Sequence, residues 1–226
     1  SKIKMINKKK LLAIVPVRAK SQRVKNKNIK KFANSNLLEI KLKLLKKIKD
    51  IDEIVVSSDS VKMLNVAKKL GLKTHIRKKY YASSKATNSQ FFKNLAENID
   101  SDYVLYSPVT TPLISKTTIE KCINLLKIKN RKFKSVATVK LIKHHMWLNN
   151  KPLNYKINFS PSSQDLPNIM AITYGCCIIK KQDMLKFKNV VTDKNKFFVL
   201  NDIESADIDT EMDFKIAEYL YYKVKN

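Results

Sequence analysis

The sequence predicts an α/β fold: a three-layer, mostly parallel, doubly wound sheet. Three observations carry that prediction. Leu11-Leu12-Ala13-Ile14-Val15 is a continuous apolar run, which suits a strand covered on both faces. Strand-like and helix-like stretches then alternate through most of the chain. A long polar loop, from Pro16 to Phe32, leaves the carboxyl end of the first strand, where α/β proteins usually bind ligands.

The elements follow in order. Leu37, Leu38, Ile40, Leu42, Leu44, Leu45 and Ile48, with lysines between them, have helical spacing. Glu53-Ile54-Val55-Val56-Ser57 reads as the second strand. Ser58-Asp59-Ser60 offers an N-cap for a helix over about 61–70, closed by Gly71. A short strand over Lys73 to Ile76 precedes a helix from Ala86 to Ile99, with Phe91, Phe92, Leu95 and Ile99 on one side. Tyr103 to Tyr106 is the fourth strand, ended by Pro108 and Pro112. Ser115 or Thr117 caps a helix through about Lys129, and Ser135 to Val139 is the fifth strand.

The pattern then changes. From His144 to Asn168 the chain is polar, with Pro152, Pro161 and Pro167. An irregular excursion of this length inside a compact domain is usually a functional lid or a contact between subunits. A strand returns over Met170 to Ile179, and the last helix runs from Asp209 to about Tyr222, with Asp209 or Thr210 as its cap. The expected organisation is one domain over 1–226, with 141–170 as the excursion.

The chain has 226 residues and a net charge of +27, which raises nucleic-acid binding as a class. Four of the 46 basic residues are arginines: Arg18, Arg23, Arg77 and Arg131. The lysines are spread along nearly the whole chain, as a compositional bias rather than a stripe. Only arginine offers phosphate a rigid bidentate fork, so the arginines are the better pointers, and two of them lie in the opening loop. Nucleic acid is therefore not the expected partner. No run of 18 apolar residues is present, so no membrane span is expected. Ser1 to Lys10 is polar, with no apolar signal core after it. Cys122, Cys176 and Cys177 fit neither a disulfide framework nor a zinc site, and read as small buried residues. Together these predict a cytoplasmic protein.

The opening loop carries Arg18, Ser21, Arg23, Lys27 and Asn28, which predicts a polyanionic ligand such as a nucleoside triphosphate. With only Gly71 and Gly175 in the chain, neither a P-loop nor a dinucleotide fingerprint is possible. Side chains and loop N–H groups must hold the phosphates instead.

Arg18-Ala19-Lys20-Ser21-Gln22-Arg23, followed by Lys27-Asn28-Ile29-Lys30, resembles the opening signature of the CMP-sugar-acid synthetases. These are the acylneuraminate (sialic acid) cytidylyltransferases and their pseudaminate, legionaminate and keto-deoxyoctulosonate relatives. The similarity continues, in family order, through Val56-Ser57-Ser58-Asp59, Arg77 with Ala82-Ser83 and Ala86, Thr110-Thr111-Pro112-Leu113, His144-His145, Gln164-Asp165-Leu166-Pro167, and Asp207-Ile208-Asp209-Thr210 with Asp213-Phe214.

The resemblance implies a fold of the nucleotide-diphospho-sugar transferase type, a homodimer built through the excursion, and CMP transfer from CTP to a 2-keto sugar acid with release of pyrophosphate. It implies that Arg18, Ser21, Arg23 and Lys27 meet the triphosphate and Asn28 the ribose or base. Arg77, Ala86 and Asn88 fall where the family recognises cytosine. His144, His145 and Gln164 correspond to a substrate pocket or an interface. Asp207 and Asp209 match the family's Mg²⁺-binding aspartates, and Arg18, Lys27 and Asp209 would carry the chemistry. Placed on an extended segment with residue 208 between them, the two carboxylates share a face, and hard oxygen ligands suit Mg²⁺.

Departures from the family pattern fall mostly on the acceptor side. Ala19-Lys20 replaces a glycine pair, which limits backbone approach to phosphate, and Gln22 stands where lysine is usual. Ile114 replaces an arginine, and Ala171-Ile172-Thr173 precedes Gly175 where Arg-Pro-Asn is expected. Keto-deoxyoctulosonate or another small acid, such as a phosphonate, is accordingly the alternative acceptor. A basic nucleic-acid-binding protein is the alternative class.

Overall fold

A computed structural model describes residues 9–21 and 23–225. Gln22, read above as a missing charge, and the first eight residues of the polar opening segment lie outside the described residues.

In chain order the elements are β1 (Leu11–Pro16), a hairpin of β2 (Lys31–Phe32) and β3 (Ser35–Asn36), α1 (Leu37–Lys46), β4 (Glu53–Ser58), α2 (Val61–Lys69), β5 (Lys73–Ile76), α3 (Lys79–Ala82), α4 (Asn88–Glu97), β6 (Tyr103–Tyr106), α5 (Lys116–Leu126), β7 (Ser135–Ile142), a second hairpin of β8 (Trp147–Leu148) and β9 (Lys151–Pro152), β10 (Ile169–Lys180), α6 (Lys181–Phe187), β11 (Asn195–Val199) and α7 (Glu211–Lys225). The main sheet has seven strands in the order β11-β7-β10-β6-β1-β4-β5. β1 pairs in parallel with β4 and β6, β4 with β5, and β7 with β11. β10 alone reverses, running antiparallel to both β6 and β7.

The unalternated apolar run of β1 has the predicted cause. Leu11, Ala13 and Val15 face one core, with residues of α1, α2, α5 and α7. Leu12 and Ile14 face the other, with residues of α4 and α6. Two helical layers thus sandwich one sheet.

Local signals fix the helix ends. Asn36 caps α1 through Glu39 N, and Ser60 caps α2 through Met63 N. Thr87 and Gln90 form a capping box that starts α4 at Asn88, two residues after the expected Ala86. Several elements have no counterpart in the sequence reading: the hairpin of β2 and β3, the hairpin of β8 and β9, α3, α6 and β11. The sheet also runs further than expected. β7 and β10 stay paired out to Ile142 and Ile169, so the irregular part of the excursion is residues 143–168, and it contains its own hairpin. All three cysteines are buried free thiols. No helix among the described residues is long and apolar enough to cross a membrane.

Candidate active site

A cleft of about 440 Å³ opens at the carboxyl ends of the parallel strands. The opening loop forms one wall, with Arg18, Ser21, Arg23, Lys27 and Asn28. Arg77, after β5, and the segment through Tyr81, Ala82, Ser83, Ala86 and Asn88 form another. Tyr106, Pro108, Val109 and Thr110 follow β6, Thr173 and Tyr174 come from β10, and Asp207 and Asp209 precede α7. Every residue expected at the nucleotide and the metal therefore lines a single cleft.

Buried polar contacts set the loop's course. Asn26 takes a left-handed backbone (φ 54°), and its carbonyl accepts from Ile29 N at 3.0 Å and Lys30 N at 2.9 Å. Asparagine tolerates that conformation better than most residues. Asn28 is buried, and its side-chain amide donates to Arg18 O at 3.0 Å. It braces the loop beneath Arg18 as well as lining the cleft. Ala19 N donates to Asp59 Oδ1 at 2.8 Å. The first N–H of the replaced glycine pair thus has a protein partner, and Asp59 serves the loop while Ser60 caps α2.

Arg77 is 4% exposed. Its guanidinium donates to Val17 O and lies 5.1 Å from the centroid of the Phe91 ring. Burial pushes its pKa down, while Asp59 and Tyr106 oppose that shift. Arg77 therefore locks β5 to the start of the opening loop. Its Nε is buried with no partner.

Ile208 is fully buried between Asp207 and Asp209, and both carboxylates line the cleft. The alternation expected of an extended segment is present, although residues 207–209 belong to no strand. Thr210 caps the last helix: Asp213 N donates to Thr210 Oγ1 at 3.2 Å, and Thr210 N to Asp213 Oδ2 at 2.7 Å. Asp209 is not the cap; its carboxylate pairs with Arg23 Nη2 at 2.6 Å. Lys27 Nζ donates to Ile208 O at 2.6 Å. Burial lowers the Lys27 pKa, and the charges of Asp209 and Asp207 resist the shift. Crowding by protein raises the Asp207 pKa; the Thr110 hydroxyl pulls it back and the Asp209 charge adds to the rise. Two carboxylates in mutual repulsion beside an open cleft form a donor set suited to a hard divalent cation that keeps waters and phosphate oxygens as its other ligands.

His144, His145 and Gln164 do not line the cleft. They are exposed in the excursion. His145 Nε2 lies 3.0 Å from Pro161 O and its ring packs edge-on to Tyr155 at 4.8 Å; the Gln164 carbonyl accepts from Lys143 Nζ at 3.2 Å. Of the two cations nearest Gln22 in the sequence, Arg23 lines the cleft and Lys20 does not. Sequence reasoning did not single out Tyr106 and Tyr174. Tyr106 had a signal, its place at the carboxyl end of a central strand. Tyr174 had none: it reaches the cleft through a bulge in β10, at φ 57°.

Comparison with known proteins gives a consistent result. Residues 12–163 match the family model described as "Cytidylyltransferase". The pseudaminic acid cytidylyltransferase of Campylobacter jejuni (strain 81-176) is 27% identical over 223 residues, spanning 94% of this chain and 96% of that one. The CMP-N,N'-diacetyllegionaminic acid synthase of Legionella pneumophila is 25% identical over 93% of this chain and 96% of its own. Among solved structures, a CMP:2-keto-3-deoxy-manno-octonic acid synthetase complexed with CTP superposes with a TM-score of 0.71 at 9% identity, covering 95% of this chain and 99% of that one. At that identity the last likeness speaks to the fold.

Proposed function

The chain belongs to the cytidylyltransferase family and is a nucleotidyltransferase; on that premise we propose that it transfers CMP from CTP to a 2-keto sugar acid of the nonulosonate class. The observation that carries this reading is the convergence of Arg18, Lys27, Arg77 and the Asp207–Asp209 pair on one cleft. It is supported by relatives whose names specify pseudaminic and legionaminic acids.

In this reading the anomeric hydroxyl of the acceptor attacks the α-phosphorus of CTP. A new P–O bond to the sugar forms, the bond to the β-phosphate oxygen breaks, pyrophosphate leaves, and the hydroxyl proton passes to solvent at the cleft mouth. Charge grows on the bridging and non-bridging oxygens, so catalysis is mostly positioning and neutralisation. Arg18, Arg23 and Lys27, with the Ser21 hydroxyl, hold the triphosphate. Arg77, Ala86 and Asn88, at the start of α4, take the cytosine, and Asn28 meets the ribose or base while its amide holds Arg18 O. Asp207 and Asp209 hold Mg²⁺, which when bound neutralises phosphate charge.

We also propose a cytoplasmic homodimer. Trp147, Leu148, Leu153, Ile157 and Phe159, all in the excursion, are more than half exposed, and a second copy would cover them. His144, His145 and Gln164 then meet either the acceptor or that copy. The buried free thiols suit a reducing compartment.

The cations that line the cleft are Arg18, Arg23, Lys27 and Arg77, all assigned to the nucleotide. Tyr106, Thr173 and Tyr174 add hydroxyls rather than charge for an acceptor carboxylate. Keto-deoxyoctulosonate and a small phosphonate are anionic as well, so this composition does not favour them over a nonulosonate.

Two variants test the assignment. Asp209→Asn should abolish turnover with the fold intact, and near-normal rates would remove the metal assignment. Arg18→Ala should weaken CTP binding measured by calorimetry, and unchanged affinity would place the triphosphate elsewhere.

A further inference from the structure

Lys41 lies on α1 among Leu37, Leu38, Leu42 and Leu45, each fully buried, and is itself 1% exposed. Placing an amine there is costly, and methionine or leucine would pack at less cost. A residue that breaks the local rule in this way invites a search for what it holds.

Its contacts lead toward the cleft. Lys41 Nζ donates to Thr111 O at 3.0 Å and to Ser107 Oγ at 3.2 Å, with Thr111 Oγ1 at 3.5 Å. Both partners belong to the turn that leaves β6. Ser107 Oγ in turn donates to Gly175 O at 2.7 Å, tying the same turn to β10. Gly175 leaves little slack, since a Cβ added there would meet Ile114 Cδ1 at 3.1 Å and Thr111 Oγ1 at 3.4 Å. Within that turn, Thr110 O accepts from Ile208 N at 2.9 Å, which fixes the backbone next to Asp207; Thr110 and Asp207 line the same cleft, and the Thr110 hydroxyl draws the Asp207 pKa down.

We propose that Lys41 is a positioning residue for Asp207: its buried amine pins the Ser107–Thr111 turn to α1, and Thr110 in that turn orients the carboxylate. The consequence for cation binding rests on the role given to Asp207 above. Partners that orient a ligand from behind are known to change metal affinity by about 10–100-fold when removed.

The test uses the full chain as wild type, Lys41→Met, Thr110→Val and the double variant. Mn²⁺ binding in the presence of CTP is read by electron paramagnetic resonance, CTP affinity by calorimetry, and folding by thermal melting. Lys41→Met is expected to melt at or above the wild-type temperature and to keep CTP affinity within about twofold, while binding Mn²⁺ about tenfold more weakly. Thr110→Val should show a similar loss, and the double variant no more than either single change, because both act through one chain of contacts. Wild-type Mn²⁺ binding in Lys41→Met, or fully additive losses in the double variant, would overturn the proposal. If wild type binds CTP but no Mn²⁺, the metal reading of Asp207 fails on its own. Lys41 is then judged by kcat, which both single variants must lower, non-additively and with KM for CTP unchanged. Should Lys41→Met not fold, Ser107→Ala removes an acceptor from the other end of the contact and must show the same loss in smaller degree.

Discussion

Arg23 and Asp209 hold each other at 2.6 Å, joining the opening loop to the segment before α7. Lys27 bonds Ile208 O at 2.6 Å and Lys30 pairs with Glu211 at 2.8 Å along the same seam. The opening loop and the segment leading into α7 are thereby brought to one cleft. The Arg23 and Asp209 side chains are 65% and 48% exposed, so solvent screens the pair.

Arg23→Ala should for that reason cost less than about 1 kcal/mol of stability. Its effect should appear in binding, because a cation is lost from the triphosphate wall. CTP affinity is expected to fall by about fivefold, with the deficit shrinking as salt rises. Calorimetry at two ionic strengths checks both, and an unchanged CTP affinity would count against a role for Arg23 at the phosphates.

Arg77→Lys keeps the charge and loses the fork. The buried guanidinium bonds Val17 O and covers the Phe91 ring, and a lysine amine cannot reproduce both contacts. The variant should lose about 1–3 kcal/mol of stability, the cost of leaving a buried group unpaired. It should also bind CTP more weakly despite its unchanged formal charge. Denaturant unfolding and calorimetry together separate this from a purely electrostatic role, in which both values would stay near wild type.

Lys41 gives stability a pH dependence whose sign is fixed. Burial pushes its pKa down to about 7, with the charge of Asp207 opposing the shift. Between that value and the ordinary lysine range the unfolded chain keeps a proton that the folded chain has shed, so stability rises with pH across this window. Below about 7 both states are protonated and the burial penalty is felt in full. Lys41→Met removes the penalty. Its melting temperature should exceed that of wild type most at about pH 6, with the gap closing toward about pH 10. A gap independent of pH would show that the amine is not titrating in this range.

Much of the fold was legible because its signals are local. The unalternated run of β1, the spacing of α1 and the Gly71 stop each lie within a few residues of the element they specify. The reversed β10 and the edge strand β11 were not legible as such, since direction and register are set by pairing with β7 across the sheet. In the site, the cations of the opening loop and the Asp207–Asp209 pair stood out by residue type. Asp59 looked like a helix cap and instead holds Ala19 N. Lys41 resembled the many solvated lysines of this chain, although it lies four residues from both Leu37 and Leu45 and so falls on the apolar stripe of α1.

The central claim is CMP transfer from CTP to a sugar acid, and pyrophosphate release tests it most directly. The assay takes the full chain with Mg²⁺, CTP and a panel of sialic, pseudaminic, legionaminic and keto-deoxyoctulosonic acids, with ATP, GTP and UTP as controls. The account predicts release with CTP alone among the nucleotides and with an acid of this panel as acceptor. No release with any acid, together with a melting temperature that CTP does not raise, would contradict it.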